Sequence, residues 1–481
     1  MIKLVEDIDG WLRKLTKGKC EYADLRVQQI EIERLASSSR KIEPVEKSVT
    51  LGFGVRVLKD GSWGFAASSQ FDEKEYERIV KLAIAIADAS RKVNKNPIDL
   101  GQYPTAKGVY ETPFTKDPFV MPIAEKLDLL AHWEDLMHAD AAISATSAFL
   151  DFRRETKMFR STAGSDIKQV LLHTGAGVTC GIVKGRRERY ERSFPTASGQ
   201  FVSGGYEQIA TFKIEENIGK VATQAIEMQT AAECPDKVTD IVLSPDLASL
   251  QIHESIGHPL ELDRVFGSER NFSGTSFATT DQLNKLKYGS EIVNVYSDPT
   301  LPGGLATYKY DDDGVEATRM PLIKDGLLVG YLSSLETAKR INAKSSAAAR
   351  AEGWGNVPLV RMTNLTLEPG DKKFADMIAE IEDGIYIEGV EQWSIDDNRD
   401  NFTLGGEVGW EIKGGKLGAM VKSPSYSGNT VQFWNSCDST GHKDEWVLWG
   451  TPNCGKGEPG QNGRTAQGAA YVRFRQVKVG G

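Results

Sequence analysis

Residues 234–258 read CPDKVTDIVLSPDLASLQIHESIGH, and the fold class turns on three transitions within them. Cys234-Pro235 ends the helical pattern before it, because a residue ahead of proline is steered out of the α region. Residues 239–243 then read as a strand. Ser244-Pro245-Asp246 has the chemistry of a helix start: Ser at the N-cap, Pro at the first helical position, an acid in the first turn. The helix runs through Leu247, Leu250 and His253. Gly257 is free to take left-handed angles and His258 precedes Pro259, so the helix is expected to end near 257. We read a boundary here. Residues 1–232 form an N-terminal α/β domain with mixed or antiparallel sheets and long helices, and residues 236–481 form a β-rich, barrel-like domain that carries this short helix. The class is α+β.

Upstream, 4–17 reads as an amphipathic helix. Residues 22–39 and 47–66 read as strands, with Asp60-Gly61 as a hairpin turn. Residues 72–91 form a helix with an apolar stripe at Ile79, Leu82, Ala83 and Ile86. Residues 94–120 hold four prolines and little periodicity, which predicts a surface linker. A second round follows: a helix at 121–140, strands at 143–162 and 166–195 around a Gly164-Ser165 turn, and a long helix at 206–230. Two such rounds suggest an internal duplication.

Downstream, 16 of the 47 glycines fall in the last 81 residues, so turns are concentrated there. Turn pairs recur at Asp313-Gly314, Asp325-Gly326, Gly405-Gly406 and Gly414-Gly415, and 386–390 and 410–421 alternate like antiparallel strands. Only 335–342 and 373–382 look helical beyond the first short helix. So many strands need their edges managed, which favours a closed or nearly closed β structure.

Of the 481 residues, 40% are hydrophobic, enough for a sizeable core. The net charge of −9 argues against a protein that coats nucleic acid. No apolar run approaches the roughly 18 residues that span a bilayer, and the N-terminus lacks signal-peptide character, so no membrane partner is expected. Cys20, Cys180, Cys234, Cys437 and Cys454 are odd in number and contain no C-x-x-C pair. A reducing, cytoplasmic location is the expectation.

Two of only six histidines fall in His253-Glu254-Ser255-Ile256-Gly257-His258. On a regular α-helix residues five apart are separated by about 140° of rotation, so both imidazoles cannot reach one ion. Two distortions remove the obstacle: a helix that ends near Gly257, or a π-type widening that puts i and i+5 on one face. A metal held there polarises a carbonyl and acidifies water, and Glu254 beside it is the natural general base. The bland alternative is two surface histidines near a helix end. A catalytic zinc has three protein ligands. Glu261, Asp263 and the distant Cys454 are all candidates for the third. Cys454 stands in a glycine-rich loop (453–461, NCGKGEPGQ), where Lys456 is expected to help stabilise a thiolate. A lone cysteine is otherwise a small buried hydrophobe.

These residues belong to a longer set of blocks: 52–66 (GFGVRVLKDGSWGFA), 160–166 (RSTAGSD), 253–263 (HESIGHPLELD), 310–315 (YDDDGV), 361–364 (RMTN) ahead of Pro369-Gly370, and 453–456 (NCGK) ahead of Gly460-Gln461. In that order they resemble the TldD/PmbA family of metallopeptidase-related proteins, over nearly the whole chain. The resemblance is to the TldD-like subunits, which keep H-E-x-x-x-H, rather than to the TldE/PmbA-like relatives, which lack it. It implies zinc held by His253, His258 and Cys454, with Glu254 as base. Glu261 and Asp263 become candidates for orienting the imidazoles, and Tyr310 and Asp311 for facing substrate. It also implies unfolded or short peptides as substrates, and a heterodimer with an inactive TldE/PmbA-like relative, or a homodimer. A dedicated peptide-processing hydrolase and a non-catalytic, partner-modulating protein are the rivals.

Other residues carry weaker expectations. On turn chemistry alone the acids at 311–313 predict a solvated turn. His132 and His138 share no helix face, and His173 falls on a strand. His442 is a loop histidine that could donate to a tetrahedral intermediate. Trp434, Trp446 and Trp449 could line a peptide pocket, though such residues are more often core.

Overall fold

In the computed structural model, which describes residues 8–185 and 188–481, the long strand Tyr22–Ser38 is the middle of a nine-stranded sheet. It pairs antiparallel with Glu46–Lys59 on one side and Ala145–Ser161 on the other. Ser62–Ser68 extends one flank, and Asp166–Lys184 extends the other. Asp60 and Gly61 both take positive φ (48° and 70°), as a two-residue hairpin that follows strand twist demands. Glu188–Phe194 and Gln200–Ser203 also pair with Asp166–Lys184. The order helix, four strands, helix occurs twice, from Ile8–Thr16 to Glu73–Arg91 and from Ile123–Met137 to Ile214–Glu227, the second time with the short helix Gln208–Thr211 before the last. Of the expected 4–17 helix, residues 4–7 lie outside the described residues, as do 186 and 187 of the expected 166–195 strand.

Three details differ from the sequence reading. The buried stripe of helix Glu73–Arg91 is Tyr76, Ile79, Val80, Ala83 and Ala87, while Leu82 and Ile86 are 41% and 36% exposed. The reason is close approach: a Cβ on Gly64 would lie 1.9 Å from the Ala83 carbonyl oxygen, so only small residues fit the contact. Residues 94–120 are not simply a linker, since Lys107–Glu111 pairs in parallel with Asp166–Lys184. The 206–230 helix is broken at Lys213 (φ 55°) between Gln208–Thr211 and Ile214–Glu227.

The remainder of the chain is built mainly on two large sheets, with the helix Pro245–Ile252 packed in the core they share. Lys237–Leu243 lies inside a ten-stranded mixed sheet, parallel to Asp383–Glu388 and antiparallel to Val472–Gly480. One sheet of the molecule is a half-barrel, and Gln392–Ile395 is one end strand of the ten-stranded sheet. A six-stranded sheet runs from Leu327–Leu328 through Asn364–Leu367 and Gln461–Ala469 to its end strand Val447–Lys456. Leu247, Ala248, Ile252 and Ile256 join one core with Leu243 and Phe474 of the ten-stranded sheet and Leu365 and Leu367 of the six-stranded one. The helix is buried almost all round, its polar residues Asp246, Ser249 and Gln251 included. A short helix at Thr430–Asn435 was not anticipated. No helix among the described residues is long and apolar enough to cross a membrane.

The acids at 311–313 are not a solvated turn: all three are buried. Asp312 meets Lys157 at 3.1 Å and Arg26 at 3.7 Å, and Asp313 meets Arg56 at 2.8 Å. The cations come from the first sheet, so these acids join it to the rest of the molecule. Asp311 accepts from the backbone N–H groups of Val315 (2.9 Å) and Ala349 (3.1 Å). Burial, then the neighbouring Asp313 carboxylate, hold its carboxyl well above the usual range. Tyr310 packs on Phe159 and Ile167.

Candidate metal centre

The helix Pro245–Ile252 starts as its cap residues predict, although the Ser244 hydroxyl donates to the Asp246 carboxylate rather than capping the backbone. It then widens. His253–Gly257 is a π turn, in which the His258 N–H donates to the His253 carbonyl. This i→i+5 closure puts the two imidazoles together, with ring centroids 4.9 Å apart and planes at 88°. The second of the two expected distortions is therefore the one adopted. Gly257 is not left-handed (φ −59°). A Cβ there would lie 2.1 Å from Met362 Sδ, so tight packing is what demands glycine. Ser255 anchors the turn: its Oγ accepts from Trp434 Nε1 (2.8 Å), and its carbonyl accepts from the Tyr288 hydroxyl.

Gly257→Ala tests this packing. In an ordinary helix the change stabilises by about 1 kcal/mol. Here it is expected to destabilise by about 1–3 kcal/mol, the usual range for overpacking, read as a lower denaturant midpoint.

One ligand atom from each of His253, His258 and Cys454 lies within 4.8 Å of the other two, and all three residues are buried. Cys454 Sγ is 3.6 Å from His258 Nε2. On the far side of that ring, Glu261 Oε2 stands 2.9 Å from Nδ1. Lys456, His258 and Arg264 outweigh the effect of burial and hold the Glu261 carboxyl well below the usual range, so Nδ1–H donates to a carboxylate. Nε2, on the opposite side of the ring, faces the sulfur, where it could bind a metal once free of its proton. Burial would raise the Cys454 thiol, but Arg361, His253 and His258 hold it well below the ordinary thiol range. Burial opposes charge on His253, yet the adjacent Cys454 and Glu254 bring it up to about 9. The cluster is electron-rich and suited to a cation.

Lys456 does not face the thiolate. Its ammonium lies 2.7 Å from Asp263, 3.2 Å from Glu269 and 3.3 Å from Glu261. The cation nearest the cysteine is Arg361, which donates to the Cys454 carbonyl. Asp263 reaches Lys456 and the Arg264 N–H, not an imidazole.

Glu254 is buried next to the cluster, with Oε2 accepting from Arg399 Nη1 at 2.9 Å. Arg399 escaped the sequence reading. It sits at positive φ (63°) in the turn between Gln392–Ile395 and Asn401–Gly405. A single cation among the acids of Asp396-Asp397-Asn398-Arg399-Asp400 was the available signal.

The histidines, Glu254, Arg399 and Cys454 line a cleft of about 700 Å³. Trp393, Ser394 and Ile395 of one end strand and Trp449 to Gly455 of the other face it, with Thr196 to Phe201 from the first sheet closing in. The approach is close: a Cβ on Gly450 would lie 2.1 Å from the Phe201 carbonyl oxygen. Of the three tryptophans weighed above, only Trp449 lines the cleft. Trp434 supports the π turn, and Trp446 donates to the Leu367 carbonyl at 3.1 Å. His442 is elsewhere, accepting at Nδ1 from the Asp444 N–H at 3.3 Å, and Tyr310 and Asp311 are likewise outside the cleft.

Two imidazoles, a thiol and an adjacent carboxylate lining one cleft are a set suited to the metal-assisted hydrolysis of a metallopeptidase. The comparisons agree. The sequence profile of the PmbA/TldA metallopeptidase C-terminal domain matches residues 236–481, and that of domain 1 matches 23–87. The chain belongs to the PmbA/TldD family. It is 28% identical over 465 residues to a protein of Methanothermobacter thermautotrophicus named metalloprotease, covering 97% of this chain and 96% of that one. It is 20% identical over 483 residues to a zinc metalloprotease TldD homolog of Saccharolobus solfataricus, covering 98% and 99%. Among solved structures, a Thermotoga maritima protein described as a candidate modulator of a DNA gyrase matches with TM-score 0.78 and 17% identity, over 99% of this chain and 100% of that one. TldE from Thermococcus kodakarensis matches with TM-score 0.72 and 14% identity, over 99% and 100%. At those identities the likeness is one of fold.

Proposed function

We propose that this chain is a zinc metallopeptidase that cleaves unfolded or short peptides, with His253, His258 and Cys454 as ligands and Glu254 as general base. The observation that carries the reading is the three-donor cluster beside Glu254 at the floor of the cleft. The sulfur–nitrogen separation of 3.6 Å is that of two ligands on a tetrahedral ion such as zinc. Bond lengths of about 2.3 Å to sulfur and 2.0–2.1 Å to nitrogen, at tetrahedral angles, call for about 3.6 Å. The name of the Saccharolobus relative points the same way.

A bound zinc would supply Lewis acidity to the scissile carbonyl and to a water. The chain's own residues do the rest. Arg399 holds Glu254 Oε2, so Oε1 takes the proton from the attacking water and later passes it to the leaving amine. Arg399 also brings positive charge to the cleft, where negative charge develops on the carbonyl oxygen. The end strands beside the cleft offer main-chain groups to an extended peptide, which gives affinity with little side-chain selectivity. A folded protein has no free extended segment to offer. The five cysteines are unpaired, which fits a reducing cytoplasm. The fold likeness to TldE fits a heterodimer with an inactive relative, or a homodimer of like surfaces.

Elemental analysis and digestion of an unstructured peptide test this together. The purified protein is expected to hold about one zinc per chain, to lose cleavage when a chelator removes it, and to regain cleavage with added zinc. Cleavage that survives complete removal of metal would overturn the reading.

A further inference from the structure

Pro452 and Asn453 line the metal cleft and also a second cavity, of about 230 Å³. This cavity lies where the strands Ala145–Ser161 and Asp166–Lys184 of the first sheet meet Gln461–Ala469 of the six-stranded sheet. Its wall carries Arg34, Arg153, Lys157, Arg350, Arg361 and Arg464, against only two carboxylates, Glu155 and Glu352. Some of the cations are partnered: Arg34 with Asp151 at 2.6 Å, Arg153 with Glu155 at 3.4 Å, Lys157 with Asp312 at 3.1 Å, and Arg464 with Asp151 at 3.3 Å. Among the described residues, Arg350 and Arg361 have no carboxylate at ion-pair distance. Arg350 donates to the carbonyls of Arg464 and Met362, and Arg361 to those of Cys454 and Gln461.

Several donors there have nothing to bond. Among the described residues Nε of Arg153, Arg350 and Arg361 and Nη1 of Arg464 are buried without a partner. His173 also lines the cavity, is 2% exposed, and has neither ring nitrogen hydrogen-bonded. Buried unpaired donors are costly, and unpaired buried charge more so. Water can satisfy a donor but cannot neutralise a guanidinium. Burial, then Arg464, Arg153 and Arg350, push His173 well below the usual imidazole range, and burial and Arg153 bring Arg464 down to about 10. Both effects come from burial first and neighbouring cations after it, and at Arg464 the Asp151 carboxylate offsets them only in part.

We propose that this cavity is an oxyanion site that takes a carboxylate or a phosphate between Arg350, Arg464, Arg153 and His173. Planar guanidinium groups fit the paired oxygens of such a group. Two sources share this chemistry. One is the C-terminal carboxylate of a peptide lying in the neighbouring cleft, which rests on the peptidase reading above. The other is a free small anion such as inorganic phosphate, which does not.

Calorimetric titration of the metal-loaded protein with inorganic phosphate tests the site without any cleavage. Saturable binding is expected, weakened at least tenfold in Arg464→Gln and in Arg350→Gln, and unchanged in Lys416→Gln at an exposed position. Should either arginine variant fold poorly, the His173 imidazole resonances of the wild type provide the same test, because phosphate is expected to shift them. Cleavage of one peptide as its free acid and as its C-terminal amide then separates the sources. A KM at least tenfold lower for the acid, at similar kcat, identifies the substrate's own carboxylate. Equal KM with phosphate binding intact identifies a free anion. No saturable phosphate binding together with equal KM overturns the proposal, as does binding at full strength in both arginine variants.

Discussion

Glu254→Gln is expected to leave the metal in place while reducing kcat for peptide cleavage about 10²–10⁴-fold, the usual contribution of a positioned acid–base group. The amide is nearly isosteric with the carboxylate, and its oxygen can still accept from Arg399, 2.9 Å away in the wild type. The cleft should therefore keep its shape. What is lost is the ability to take a proton. No ligand atom of the proposed cluster is touched, so metal content measured after dialysis should match wild type. Full activity in this variant would remove Glu254 from the mechanism, whereas loss of metal would make it a ligand.

Cys454→Ser separates ligand from bystander. The sulfur sits 3.6 Å from His258 Nε2 and is held as thiolate against the pull of burial. A serine hydroxyl keeps its proton in the same field and is a poor ligand for zinc. Metal affinity is expected to fall by more than about a hundredfold, beyond the 10–100-fold typical of a residue that only supports a ligand. Activity should fall with it and return partly at high zinc. Glu261→Gln supplies the scale, because among the three ligands Glu261 is hydrogen-bonded to His258. Wild-type affinity in Cys454→Ser would sink the ligand assignment.

What could be read from the sequence was whatever depends on near neighbours. The cap at Ser244-Pro245, the hairpin at Asp60-Gly61 and the need for a distorted turn between His253 and His258 all follow from local chemistry, and the structure has each. Glu261 was legible as an imidazole partner because it lies three residues from His258. What was hidden depends on distant partners. The acids at 311–313 look solvated until Lys157 and Arg56 arrive from strands 155 and 257 residues away. Arg399 reaches Glu254 across 145 residues. Lys456 seemed free to serve Cys454, but Asp263, Glu261 and Glu269 converge on it once the chain is folded. The stripe on Glu73–Arg91 was misjudged because Gly64, on another element, sets how close the helix can come.

The two histidines follow a strand of the ten-stranded sheet, and the cysteine stands on the end strand of the six-stranded sheet, 196 residues beyond His258. An ion held by all three would be a cross-link. A covalent bridge closing a loop of about 100 residues is worth roughly 4.7 kcal/mol in the chain-entropy account. A metal bridge of greater span acts in the same sense, but it is reversible and tracks the free metal concentration. The supply of metal would thus regulate how firmly the two sheets are fastened to each other, as well as whether the cleft can do chemistry.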